Sequence, residues 1–295
     1  MRPSKDVDEA LLRDWPLPVP EEGDKNARGS IFVVAGAPQM PGAAILAATA
    51  ALRAGAGKLQ VGTCASVAAL VGAGVLEALV VALDEMPSGA ISPVCARAIA
   101  ERANNAHALA IGPGLVDQRT TAALLAAVAS SLRVPAVIDA TALACFADRP
   151  EAIAHLGGRV VLTPHAGEMA SMLGRERDEI ERDPATFASD AARRFNAVVA
   201  LKGAETYIAD PAGALYRNTC GDVGLATSGS GDTLAGIIGG LLARGAEPVQ
   251  AAVWGVYLHG RAGETLSERI GMGFLAREIP GEVPSLMRAL SGAPA

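Results

Sequence analysis

The chain has 295 residues, is 51% hydrophobic but only 3% aromatic, and carries a formal net charge of -6. That length and apolar content suffice for one large core, which alanine and aliphatic side chains must fill. The acidic balance, without a basic patch, excludes a nucleic-acid partner recruited by counterion release. It leaves room for a phosphate ligand held by backbone N–H groups and a few local cations.

Residues 1–28 are polar and punctuated by Pro16, Pro18 and Pro20, which reads as a surface arm leading into a single domain at 29–295. The first strand is predicted at 30–35, a continuous apolar run of the kind buried on both faces of a parallel sheet. A helix follows from Pro41 to about Ala54, where Gly55 and Gly57 stop it. Further strands are predicted at 58–62, 79–83, 108–111, 136–138, 160–162 and 197–201, with helical segments between most of them. This alternation implies crossover connections and a mostly parallel sheet between helix layers. Segments 206–209 and 214–217 flank Pro211-Ala212-Gly213, which predicts an antiparallel hairpin at one sheet edge. Two long helices, at about 231–243 and 248–268, end the core.

The four cysteines, Cys64, Cys95, Cys145 and Cys220, form no CxxC pair and lie near no histidine at metal-ligand spacing. They read as reduced, mostly buried thiols. No apolar stretch follows the first eight residues, and runs such as 234–243 fall far short of the ~20 residues of a membrane helix. No membrane association and a cytoplasmic setting are expected.

Five loops carry candidate chemistry, each placed just after a predicted strand or at a helix start. In Gly229-Ser230-Gly231-Asp232 a Gly-rich turn opens directly into an apolar helix. Its free N–H groups and helix dipole make an anion site. Asp232 reads either as a base that takes a proton during phosphoryl transfer or as an ordinary N-cap. Lys202-Gly203-Ala204-Glu205-Thr206 offers a cation and turn N–H groups to a phosphate, or is a plain turn into the hairpin. His165 and Glu168, in Thr163-Pro164-His165-Ala166-Gly167-Glu168, face the same crevice. A lone histidine is more often a structural hydrogen-bonder. His107, His155 and His259 keep that structural reading. Gly112-Pro113-Gly114 lets a flat ligand lie against the backbone, and Pro41-Gly42-Ala43 starts a helix with small residues. Asp139, at another strand end, either pairs with a cation or serves as an N-cap for the next segment of chain.

Taken in order, Met40-Pro41-Gly42-Ala43, Gly112-Pro113-Gly114, Thr163-Pro164-His165, Leu201-Lys202-Gly203 and Gly229-Ser230-Gly231-Asp232 resemble the ADP-dependent NAD(P)H-hydrate dehydratase family over about 25–280. The resemblance implies a ribokinase-like three-layer α/β/α sandwich, assembled as a homotetramer. It implies dehydration of the S epimer of hydrated NADH or NADPH, with ADP as co-substrate, Mg²⁺ as cofactor, and AMP and phosphate released. Carried over by position, Ala43, Gly114, His165 and Asp232 would contact the hydrated cofactor. Lys202, Gly203, Ala204, Glu205 and Thr206, with Gly229, Ser230 and Gly231, would hold the nucleotide. Asp232 would be the catalytic base.

The sequence departs from the family pattern at Ala166, where proline is expected, and at Ser228, where glycine is expected. Cys220 and Asp222 also alter the loop at 218–222. With no epimerase-like segment before residue 25, the stand-alone form is expected, any epimerase being a separate protein. The alternative on the same fold is a kinase acting on a thiazole or pyrimidine alcohol.

Overall fold

The computed structural model describes residues 3–19 and 27–291. Ten strands form one sheet: β1 (Lys5–Asp6), β2 (Ser30–Val34), β3 (Lys58–Cys64), β4 (Ala78–Leu83), β5 (Ala108–Ile111), β6 (Ala136–Ile138), β7 (Val160–Leu162), β8 (Val198–Leu201), β9 (Thr206–Ala209) and β10 (Leu215–Asn218). Their spatial order is β1-β10-β9-β8-β7-β6-β5-β2-β3-β4. All pairs from β4 to β8 are parallel. β9 is antiparallel to both β8 and β10.

The predicted strands at 108–111, 136–138, 160–162 and 206–209 coincide with β5, β6, β7 and β9 residue for residue. The reason is visible in the packing. In β2, Phe32 and Val34 enter one core, while Ile31 and Val33 enter the other. A strand covered on both faces carries no polar position, so its apolar run ends where the strand ends.

Twelve helices among the described residues surround the sheet: α1 (Glu9–Asp14), α2 (Pro41–Arg53), α3 (Ala68–Gly74), α4 (Ala96–Asn104), α5 (Gln118–Ala129), α6 (Cys145–Asp148), α7 (Ala166–Leu173), α8 (Arg177–Arg182), α9 (Pro184–Phe195), α10 (Ser230–Ala243), α11 (Pro248–Ile270) and α12 (Ile279–Leu290). Residues of α4, α5, α7 and α9 fill one core. Those of α2, α10, α11 and α12 fill the other. This is the expected three-layer sandwich. The shortage of aromatics is met by close approach. A Cβ on Gly236 of α10 would lie 2.2 Å from the Ala47 carbonyl of α2. Only glycine lets these helix backbones meet. None of the helices is long and apolar enough to cross a membrane.

The segment expected as a surface arm is built into the fold over its described part. β1 pairs in parallel with β10 on the outer edge of the sheet. Leu12 is fully buried, and Trp15 stacks on Tyr216 with ring centroids 6.1 Å apart. The side chains of Gln250 and Trp254 donate to the Trp15 carbonyl. A two-residue strand made of Lys5 and Asp6 has no apolar signature, so sequence pattern missed it. Residues 1, 2 and 20–26 of that segment, and 292–295 at the other end, lie outside the described residues.

The topology also positions the site. From β2 the chain runs outward through β3 to β4, then crosses back to β5 on the other side of β2. At such a switch point the loops after the strands diverge and leave a crevice. Gly36 after β2 and Pro113 after β5 meet there, the Gly36 N–H donating to the Pro113 carbonyl at 2.9 Å.

Candidate active site

α10 begins where Gly229 adopts a left-handed conformation, φ 88°, which glycine accepts without strain. A Cβ there would lie 2.4 Å from Leu46. Gly229 is the cap residue, and no side chain caps the helix. Asp232, in the first turn, is therefore not an N-cap. Its carboxylate accepts no hydrogen bond among the described residues. It sits half-buried beside two other charges. Burial, then the negative charge of Asp139, raise its pKa to about 6, against the opposing pull of Lys202. A carboxylate left without partners and poised near neutrality is what a general base requires.

Asp139 ends β6 and is nearly inaccessible. It does not cap the helical turn directly after it. One oxygen accepts from Lys202 Nζ at 2.9 Å and from Thr163 Oγ1 at 2.6 Å. The Lys202 ammonium also lies 3.9 Å from Glu168. Burial by itself would lower the lysine pKa; the carboxylates of Asp139, Glu168 and Asp232 outweigh it and hold the pKa above its ordinary value. Lys202 thus remains a cation at the end of β8. Its N–H donates to the Pro164 carbonyl at 2.8 Å, which ties the β8 loop to the His165 loop.

His165 serves as a structural hydrogen-bonder and also lines the crevice. Its Nδ1 accepts from the Gly167 and Glu168 N–H groups at 3.0 and 3.2 Å, while Glu168 accepts from the His165 N–H. This capping box starts α7. Because Nδ1 is an acceptor, the neutral ring carries its proton on Nε2. His165 lines two cavities, of about 740 and 590 Å³.

The larger cavity is lined by Lys202, Gly203, Ala204, Thr206, Ser230 and Gly231, among others. Glu205 turns instead toward a neighbouring cavity of about 660 Å³. There it accepts from the Tyr207 hydroxyl and pairs with Arg217. The second cavity is lined by Met40, Leu115, Thr141, Gly167 and Glu168, besides His165. Ala43 and Gly114 form a close contact beside it: a Cβ on Gly114 would lie 2.5 Å from that of Ala43, and φ there is 64°. Gly114→Ala is therefore expected to push α2 from the crevice and raise KM for the ligand held there. Steady-state kinetics check this, an unchanged KM being the contrary result.

The structure thus places the loops at 114, 165, 202 and 229–232 near one another. Sequence reasoning assigned no site role to His259, which also lines the larger cavity. One histidine inside an apolar helix gives no local signal.

A family model described as NAD(P)H-hydrate dehydratase matches residues 31–285. The chain belongs to the NAD(P)H-hydrate dehydratase family. Within that family it is similar to an ADP-dependent (S)-NAD(P)H-hydrate dehydratase of Xanthomonas campestris, 47% identical over 285 residues, covering 96% of either chain. It is 40% identical over 269 residues to the bifunctional NAD(P)H-hydrate repair enzyme Nnr of Moorella thermoacetica, covering 91% of this chain and 51% of that one. It therefore spans about half the length of that bifunctional relative. Its structure resembles that of the ADP/ATP-dependent NAD(P)H-hydrate dehydratase from Bacillus subtilis co-crystallised with ATP/Mg²⁺, with a TM-score of 0.80 and 29% identity, over 97% and 99% of the two chains.

Proposed function

We propose that this chain is an ADP-dependent dehydratase that restores NADH or NADPH from the S epimer of the hydrated cofactor. The observation that carries the reading is the Asp232 carboxylate, free of hydrogen bonds and raised to about 6, at the start of an anion-binding helix. Family membership supplies the substrate class.

Hydroxide is a poor leaving group, so the ring hydroxyl must first be phosphorylated. Asp232 takes the proton of the C6 hydroxyl as its oxygen attacks the β-phosphorus of ADP. The bond to the bridging oxygen breaks, and AMP leaves. The N–H groups at Ser230 and Gly231 and the helix dipole stabilise the charge on the transferring phosphoryl group. The ring nitrogen's lone pair then expels phosphate, and loss of the C5 proton restores the C5–C6 double bond. Lys202, Gly203, Ala204 and Thr206 are the residues assigned to the nucleotide. Ala43, Gly114 and His165 are assigned to the hydrated cofactor, with Glu205 and Gly229 shaping the two loops.

The residues fit a Mg²⁺ carried by the nucleotide rather than by a protein cage. Among the described residues no group of three or more His, Cys, Asp or Glu side chains is placed to hold a metal. Asp139 is engaged by Lys202 and Thr163. Phosphate oxygens and water would supply most of its ligands. Bound there, Mg²⁺ would screen the phosphate charge. Homotetrameric assembly and a cytoplasmic setting belong to the same proposal.

A kinase acting on a thiazole or pyrimidine alcohol would use the same turn and base, but family membership favours the dehydratase. Product analysis separates them: AMP plus phosphate from ADP for the dehydratase, a phosphorylated alcohol from ATP for the kinase.

The pH dependence has a definite sign. The base works ionised, so kcat/KM is expected to fall as pH drops through about 6. Asp139→Asn removes a negative charge that raises Asp232, and frees Lys202 to face it. The acid limb should move to lower pH. A limb that stays put or moves upward in the pH–rate profile would contradict this coupling.

A further inference from the structure

His259, Gly260, Gly263 and Glu264 occupy positions i, i+1, i+4 and i+5 of α11, and so share one helix face. That face is moulded to the loop between β10 and α10. A Cβ on Gly260 would lie 2.5 Å from the Cys220 carbonyl oxygen, and one on Gly263 would lie 2.5 Å from Leu225. Glu264 accepts from the Gly221 N–H at 2.7 Å. At the N-terminal end of the face, His259 Nε2 lies 3.0 Å from Ser230 Oγ and 3.1 Å from the Ser230 carbonyl oxygen.

Those two distances fix a proton. A carbonyl oxygen only accepts, so Nε2 must be the donor, its single N–H shared between both oxygens. Burial pushes the imidazole pKa down to about 4, with the Lys202 charge acting in the same direction and the bond to the Ser230 carbonyl opposing it. The ring is neutral at working pH and keeps its one side-chain proton on Nε2. It therefore has no lone pair there to accept the Ser230 hydroxyl hydrogen. Ser230 Oγ accepts from His259 and keeps its own hydrogen for an acceptor in the 740 Å³ cavity that both residues line.

We propose that His259 is a positioning residue that orients the Ser230 hydroxyl as a hydrogen-bond donor to the nucleotide's phosphate. The identity of that nucleotide as ADP rests on the dehydratase reading. His259 touches no reacting atom; it acts through Ser230 and through the turn carbonyl.

The test is ADP binding by calorimetry, with steady-state kinetics alongside, on wild type, His259→Leu, His259→Gln, Ser230→Ala and the double variant with His259→Leu and Ser230→Ala. Loss of one neutral hydrogen bond predicts about tenfold weaker ADP binding in His259→Leu and in Ser230→Ala. KM for ADP should rise while KM for hydrated NADH stays the same. His259→Gln, which returns an N–H donor, should recover most of the loss. The double variant should bind no more weakly than Ser230→Ala alone, because the two residues act as one unit. Wild-type affinity in Ser230→Ala, independent losses in the double variant, or His259→Gln as weak as His259→Leu would each overturn the proposal. Should His259→Leu fail to fold, Ser230→Ala and His259→Gln still decide it. Wild type that binds ADP in this His259-dependent way yet restores no NADH would sink the dehydratase reading and leave the positioning role standing.

Discussion

Asp232→Asn is expected to lower kcat by about 10²–10⁴-fold, the range for loss of a general base, while ADP binds as well as before or better. The neutral amide cannot take the hydroxyl proton, but it also no longer repels the incoming phosphate. A second consequence separates a catalytic carboxylate from a structural one. Asp232 has a folded-state pKa of about 6, above the ordinary value of 3.8. Its charge is therefore disfavoured by folding. The stability that this group contributes is fully present below the unfolded pKa and is lost as pH rises through about 6. At pH 7 the wild type bears that cost and the asparagine variant does not. Thermal unfolding should show Asp232→Asn more stable than wild type at pH 7, with the gain vanishing near pH 4, the ordinary range of an aspartate. A structural cap would behave in the opposite way, losing about 0.5–2 kcal/mol.

Lys202→Met is expected to damage both fold and activity. Its ammonium is the partner of Asp139, whose side chain is only 3% exposed. Removing one member of such a pair leaves the other charge buried without compensation. The cost should be about 3 kcal/mol, the lower end for a broken buried pair, because 21% of the Lys202 side chain still reaches solvent. Nucleotide affinity should fall with the lost cation. The pH–rate profile should shift too, since Lys202 opposes the rise in the Asp232 pKa. Without it the acid limb moves up, opposite to the shift expected for Asp139→Asn. Adding Asp139→Asn to Lys202→Met should restore most of the stability and none of the nucleotide affinity. Denaturant unfolding and ADP titration on the three variants measure this. A Lys202→Met protein as stable as wild type would mean that the pair does not stabilise the fold.

These expectations depend on features that the sequence reveals unevenly. The strands that position the site are legible because burial on both faces leaves no polar residue in them. The loops after β5, β7 and β8, and the turn into α10, are legible because glycine, histidine and lysine stand at the strand ends. Asp139 leaves two readings open in the sequence. Only the structure shows it turned from its own helical segment toward Lys202 and Thr163. His165 is legible as a site residue, but its capping box emerges only from Nδ1 accepting two N–H groups. His259 is hidden, because its partner Ser230 is 29 residues away in sequence. The edge strand β1 is hidden for a different reason: two charged residues pair with β10 through their backbone and one exposed Asp6–Arg217 ion pair, and neither leaves an apolar side-chain pattern.

The coupling of Asp232 to cofactor repair is tested most directly by one spectroscopic assay. Hydrated NADH of S configuration is mixed with ADP and Mg²⁺, and the absorbance of reduced nicotinamide is followed for wild type and Asp232→Asn. Wild type should regain that absorbance with one AMP and one phosphate formed per NADH, and Asp232→Asn should do so about 10²–10⁴-fold more slowly. No regain by wild type with either ADP or ATP, or equal rates in the two proteins, would contradict the account.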